Sequence, residues 1–376
     1  MERWPFLFAS FALASPWVQG QTLVYFGTYT GAASRGIYVS RFDPVSGRLT
    51  APELAAETEN PSFLAAHPSG RFLYAVNEVD DFQGEAAGSA TGFAIDPGSG
   101  RLTALNRSSS KGPGPCYLSL DRTGRHLLVA NYAGGSVAVL PVGTDGRLGP
   151  ATAFVQHRGS EASRAPHAHS IDSDAENRFV LAADLGLDRV IVYRFDAARG
   201  ALVAHHPPFV ALQSGAGPRH VALHPGGRFA YVLNELSMTL TALRYDPERG
   251  TLGVIETVSS LPEGVAVARG FDGAEVLVHP AGGFLYASNR GHDSIAVFAI
   301  DGTKGTLRLV EHVSTIGKTP RGFGIEPSGG YLLAANQDSD SIVVFRIDAE
   351  TGRLTPTGQT VRVGSPVSVA FVTPRD

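Results

Sequence analysis

His67-Pro68-Ser69-Gly70-Arg71-Phe72-Leu73-Tyr74-Ala75-Val76-Asn77-Glu78 recurs as His224-Pro225-Gly226-Gly227-Arg228-Phe229-Ala230-Tyr231-Val232-Leu233-Asn234-Glu235, and a third time from His279 to Arg290. Weaker copies are read from Asp121, Asp172 and Glu326. After each copy comes an alternating apolar run and then a turn ending in glycine. Seven such segments are present: Tyr38 to Gly47, Phe93 to Gly100, Val137 to Gly146, Ile191 to Gly200, Leu243 to Gly250, Ala296 to Gly305 and Val343 to Gly352. Each unit, roughly 50 residues long, holds four short apolar or alternating runs, the amount of chain in one four-stranded propeller blade. Helical spacing is absent. The first apolar run, Leu23-Val24-Tyr25-Phe26, copies a second strand, and the last, Pro366-Val367-Ser368-Val369, copies a first strand. The two ends are therefore expected to complete one blade, closing an all-β, seven-bladed propeller of four-stranded antiparallel blades over residues 21–376. Closure pairs strand edges that would otherwise stay open. An open solenoid would instead need polar capping repeats, and none is visible.

The composition agrees with a globular chain. Of 376 residues, 43% are hydrophobic and 18% charged, which excludes disorder and a coiled coil; 44 Gly and 24 Pro suit a turn-rich fold. The 31 Lys and Arg are balanced by 35 Asp and Glu for a formal charge of −4, with no basic run. Nucleic acid and basic membrane-surface binding are thereby disfavoured, and a small molecule is the expected partner of a monomer. The lone cysteine, Cys116, allows no internal disulfide and no Cys-based zinc site. At the N-terminus, Arg3 precedes the apolar run Phe6 to Ala14, and Val18-Gln19-Gly20 resembles a signal-peptidase site. Residues 1–20 are read as a signal peptide, which implies a periplasmic or secreted protein. Pro16 and Gln19 leave the run short of the roughly 20 residues a membrane span requires.

A repeat acts as its own control for locating a site, because equivalent positions can be compared across blades. Starts of first strands and ends of second strands share one face of an antiparallel blade, around the central channel. Three residues before the residue closing each first strand stand Leu64, Leu118, His169, Val221, Val276 and Phe323, with Val369 in the last blade; only His169 is polar. Two residues earlier the column reads Ser62, Cys116, His167, Arg219, Ala274, Arg321 and Val367, expected on the same strand face by the period of two. Arg219 and Arg321 each follow a proline at the channel mouth, where a guanidinium can meet an anion. At the ends of the second strands, Asn77, Asn131, Asp184, Asn234, Asn289 and Asn336 form a column suited to bonding turn backbone, hence structural. The next position varies as Glu78, Tyr132, Leu185, Glu235, Arg290 and Gln337, and Glu235 and Arg290 are the candidates there. His167 and His169 form an H-x-H, but without a carboxylate or cysteine ligand at set spacing no metal is assigned. Cys116 lacks any activating pattern for a nucleophile. No phosphate loop or nucleotide motif appears, so no cofactor is implied.

Tyr25-Phe26-Gly27-Thr28-Tyr29-Thr30, Gly217-Pro218-Arg219-His220, Asn234-Glu235-Leu236, Ser288-Asn289-Arg290 and Thr319-Pro320-Arg321-Gly322-Phe323 resemble the lactonase family of seven-bladed propellers, from about Leu23 to Phe371. That family includes bacterial 6-phosphogluconolactonases and fungal carboxymuconate-lactonizing enzymes. The resemblance implies hydrolysis of a lactone in carbohydrate metabolism at a site of one His, two Arg and a Glu, which fall on His169, Arg219, Arg290 and Glu235. The column comparison selects the same four. His167, His220, Arg321 and Glu78 complete the expected site as substrate-binding residues for an anionic lactone.

Opening a cyclic ester requires deprotonation of the attacking water, stabilisation of the oxyanion and protonation of the leaving ring oxygen. His169 suits general base and then acid, Glu235 orients it or the water, and Arg219 with Arg290 faces the oxyanion or an anionic substituent; the converse assignment makes Glu235 the base. Two other functions fit the same pattern. A carboxymuconate-type lactonizing isomerase would use the arginines for carboxylates, and a non-catalytic binding propeller would show a large exposed aromatic patch.

Overall fold

The computed structural model describes residues 22–159 and 165–373, so the expected signal peptide lies outside the described residues. Those residues form seven antiparallel sheets. Six are built in chain order, their inner and second strands being Leu64–Ala66 and Phe72–Asn77 (blade 1), Pro115–Leu120 and His126–Asn131 (blade 2), Ala168–Ser173 and Phe179–Asp184 (blade 3), Pro218–Leu223 and Phe229–Asn234 (blade 4), Asp272–Val278 and Phe284–Arg290 (blade 5), and Pro320–Ile325 and Tyr331–Asn336 (blade 6). In blade 7 the C-terminal strand Pro366–Val372 lies innermost and pairs with Thr22–Thr28, from Leu23↔Val372 to Phe26↔Val369, which closes the ring.

The hydropathy of each strand follows its radius in the disc. Second strands such as Phe72–Asn77 and Phe179–Asp184 are buried at every residue because a neighbouring blade covers each face, so they read as continuous apolar runs. Outer strands such as Leu102–Ser109 and Ala201–Ala211 are largely exposed or half-buried. Seven apolar clusters fill the gaps between blades, and each includes one member of the inner-strand column Leu64, Leu118, Ile171, Val221, Val276, Phe323 and Val369.

The glycine that ends each repeat is explained at the blade 4–5 junction. Gly305 has φ +78°, and a Cβ there would stand 2.4 Å from the Phe229 ring of the preceding blade. Its carbonyl accepts from the buried Tyr231 hydroxyl at 3.2 Å. The same tie recurs from Tyr25 to Gly100 (2.8 Å), Tyr74 to Gly146 (3.0 Å) and Tyr286 to Gly352 (2.9 Å), each joining a second strand to the turn of the next blade.

The asparagine column is structural, by a route different from the expected one. Besides Ser136 Oγ (3.1 Å) across its own turn, Asn131 donates to Ser110 O (3.0 Å) in the segment entering from blade 1. Asn289 likewise reaches Ser260 O, and Asn336 reaches Thr315 O, whereas Asn234 donates, among the described residues, only to Thr239 and Thr241 of its own hairpin. An amide can donate across to the neighbouring segment. A carboxylate cannot, and in blade 3 the direction reverses: Asp184 accepts from His157 Nδ1 at 2.6 Å in the segment entering from blade 2, and also from Leu187 N and His167 N.

Candidate active site

The structure corrects the alignment of blade 3. In each clear copy the backbone N–H of the closing residue donates to the carbonyl five residues on, as in His67 to Phe72, Asp121 to His126 and His224 to Phe229; in blade 3 the donor is Asp174, to Phe179. The copy therefore starts at Asp174 and not at Asp172. Ile171, opposite Ala182, takes the place in the apolar column that the sequence reading gave to His169. His169 moves into the column of Cys116, Arg219 and Arg321, displacing His167.

The expected period of two also fails at these positions. Cys116, His169, Arg219 and Arg321 are each the extra, unpaired residue of a β-bulge where the inner-strand register shifts. A bulge residue is released from the ladder, so its side chain can turn to the channel mouth while its neighbours keep the inter-blade packing. That is how one column of an otherwise apolar strand carries the chemistry.

Glu235, directly after the second strand of blade 4, is the hub. Its Oε2 lies 2.9 Å from Arg219 Nε and its Oε1 3.1 Å from Arg290 Nη2. His169 Nε2 stands 3.8 Å from Oε2. The contact with Arg219 is electrostatic rather than an aligned hydrogen bond: Arg219 Nε, Glu235 Oε2 and Arg290 Nε are buried without a hydrogen-bond partner among the described residues. All four expected catalytic residues are thus brought together. Burial, with Arg219, His220 and Arg321 nearby, holds the His169 ring well below the usual histidine range and therefore neutral at neutral pH. Burial also lowers the Arg219 guanidinium to about 10, still charged.

The remaining expected residues surround this hub. His220 packs edge-on to His169, with ring centroids 5.2 Å apart. Its Nδ1 is 2.8 Å from Glu275 Oε1 and its Nε2 3.1 Å from Arg219 Nη1. Arg321 and Glu78 form a second cluster: Arg321 Nη2 donates to the Tyr29 hydroxyl (2.9 Å), which donates to Glu78 Oε2 (3.0 Å), and Ser62 donates to the same oxygen. His167 stands apart from the hub, stacked on Tyr132 at 4.6 Å with Nδ1 on Tyr132 O. Cys116 Sγ lies 3.7 Å from His169 Nδ1, and burial pushes its thiol far up, away from thiolate chemistry.

Glu275 escaped the sequence reading altogether. The column one residue after the bulge, Phe63, Tyr117, Ser170, His220, Glu275, Gly322 and Ser368, contains that single carboxylate, which is the signal that marks it. Rings from this column, with Phe63 and Tyr117 4.2 Å apart and Tyr117 and His220 4.9 Å apart, cross the channel beneath the site. On their far side lies a cavity of about 280 Å³ bordered by Tyr117, Asp172, His220 and Glu275. The exposed large hydrophobic side chains among the described residues are mostly aliphatic, with Phe154 the aromatic one.

Residues 23–371 match the family model described as Lactonase, 7-bladed beta-propeller. A protein of Bacillus subtilis (strain 168) named 6-phosphogluconolactonase is 39% identical over 351 residues, covering 93% of this chain and 97% of that one. A 6-phosphogluconolactonase of Formosa agariphila is 32% identical over 314 residues, covering 81% of this chain and 86% of the relative. The solved structure of a periplasmic gluconolactonase of Pseudomonas aeruginosa is 38% identical, superposes with a TM-score of 0.87, and is covered in full by 94% of this chain.

Proposed function

Because this chain belongs to the lactonase family of seven-bladed β-propellers, we propose that it hydrolyses a sugar lactone, of the phosphogluconolactone or gluconolactone kind that the names of similar proteins give. The observation that carries the reading is the Glu235 carboxylate held between Arg219 and Arg290 with a neutral imidazole beside it. His169 takes a proton from water as the water oxygen bonds to the lactone carbonyl carbon. The imidazolium so formed faces Glu235, which offsets the low basicity of the buried ring. Arg219 and Arg290 stabilise the oxyanion, and the C–O ring bond then breaks with return of the His169 proton to the leaving oxygen. The sum is lactone plus water to hydroxy acid. Glu235 is a weaker candidate for the base, because each of its carboxylate oxygens is already engaged by a guanidinium.

The test is a panel of phosphorylated, carboxylated and neutral lactones assayed on wild type and Arg219→Ala. An oxyanion role predicts a loss in kcat for every lactone turned over. A role in binding an anionic substituent predicts a rise in KM that shrinks for a neutral lactone. No turnover of any lactone by wild type would end the reading, as would ring closure as the only reaction found.

We also infer that residues 1–20 are removed on export, in keeping with the periplasmic gluconolactonase among the similar structures. Mass spectrometry of the mature protein is expected to find a chain starting at Gln21. An intact N-terminus in cytosolic material would overturn this, and would favour a phosphorylated substrate.

A further inference from the structure

We propose that Glu275 is a positioning residue: acting through the His220 ring, it holds the Arg219 guanidinium against Glu235. The hydrogen positions follow from the chemistry of the partners. Arg219 Nη1 lies 3.1 Å from His220 Nε2 and 3.5 Å from Nδ1, against the ring rather than along one lone pair, so the tautomer is set by Glu275, whose carboxylate can only accept. In a neutral ring the hydrogen then sits on Nδ1, and it donates to Glu275 Oε1 at 2.8 Å. Burial beside three arginines keeps His220 neutral. The same Glu275 oxygen also accepts from Val276 N–H at 3.0 Å, which fixes the carboxylate on its strand. Arg219 Nη1 is anchored a second time on Ala274 O, the backbone neighbour of Glu275. Arg219 therefore meets Glu235 through Nε while Nη1 is oriented by the blade 5 inner strand. Without an acceptor at Nδ1 the imidazole is free to carry its hydrogen on Nε2, where two donors would meet.

The arrangement has a titratable end. Glu275 is enclosed by Arg219 and His220 from blade 4 and Asp172 and Tyr117 from the cavity below, and it borders the small space at the mouth that Tyr29, Glu78, Cys116 and Arg321 line. Burial pushes Glu275 up to about 7, and Asp172 likewise. As pH falls through that range, Glu275 gains a proton of its own to donate. Directed at Nδ1, that proton moves the ring hydrogen to Nε2, the nitrogen nearer Arg219 Nη1, and sets a donor against the guanidinium. The carboxylate form, present above about 7, is the one that orients the arginine.

The test has a spectroscopic arm and a kinetic arm. The ¹⁵N signals of His220, assigned by their loss in His220→Phe, are expected to show the Nδ1-protonated tautomer at pH 8 and to shift as pH falls through about 7. In Glu275→Gln, whose amide oxygen still accepts from Nδ1, the tautomer persists and the shift disappears. In the kinetic arm, which rests on the lactonase reading, Glu275→Leu lowers kcat/KM roughly 10-fold or more, as displacement of a contacting group does. Glu275→Gln recovers most of that loss at pH 8 and lacks the acid limb near pH 7, whereas Asp172→Asn keeps the limb. An Nε2-protonated His220 in the wild type, or a folded Glu275→Leu protein as active as wild type across the pH range, overturns the proposal. If wild type opens no lactone, the functional reading fails and the ¹⁵N signals still decide the positioning role.

Discussion

Replacement of His169 by alanine is expected to lower turnover of the best lactone by roughly 10²-fold or more, the usual loss when a general acid–base group is removed. Glu235→Gln is expected to lose as much, because the same carboxylate fixes both guanidiniums and faces the imidazolium formed in the reaction. The two substitutions combined should cost little more than either alone, since groups that act as a unit are not additive. Asn131→Ala is the control. It deletes donors to Ser110 O and Ser136 Oγ and leaves a buried carbonyl unsatisfied, so it is expected to cost about 1–3 kcal/mol of stability. Its kcat should stay near that of wild type, because Asn131 touches none of Glu235, Arg219 or Arg290. Steady-state kinetics with thermal melts on the four variants separate these effects. Full activity in His169→Ala with none in Asn131→Ala would show that the chemical and structural columns have been exchanged.

The ring was legible in the sequence because a propeller writes the same solvent history seven times. Second strands are buried on both faces, and the turn glycines are required by positive φ and by an aromatic ring of the preceding blade, as at Gly305 against Phe229. Glu235 and Arg290 were legible for a related reason: they follow a column that is asparagine in five of six blades, so variation at the next position stands out. His169 was found through the wrong column. The blade 3 copy lacks the His-Pro-Ser-Gly signature, and a two-residue slip put the histidine where Ile171 belongs. The bulges were hidden because an extra residue in one strand changes which side chain faces the channel without changing composition. Glu275 and Tyr29 were missed because what they do depends on another blade: Glu275 acts on a residue of blade 4, and Tyr29 bridges Glu78 of blade 1 and Arg321 of blade 6.

Truncation after Gly364 is expected to abolish folding, although it removes no member of the Glu235 hub. The lost strand Pro366–Val372 is the inner strand of blade 7 and, among the described residues, the only partner that Thr22–Thr28 has on its channel side. Val367 and Val372 are buried, and Val369 packs into the gap between blades 6 and 7. Burying each such side chain contributes roughly 1.5–3 kcal/mol, so the loss approaches the whole net stability of about 5–15 kcal/mol before any strand pairing is counted. Removing the strand also opens Thr22–Thr28, buried along its entire length, as an apolar edge ready to pair with another chain. The expected product is aggregated protein without a cooperative melt. Supplying residues 364–376 as a separate peptide is expected to restore a soluble, melting species, because the missing element is a strand and not a covalent link. A truncated chain that stays monomeric and melts like the full chain would mean that the ring does not depend on this closure for its stability.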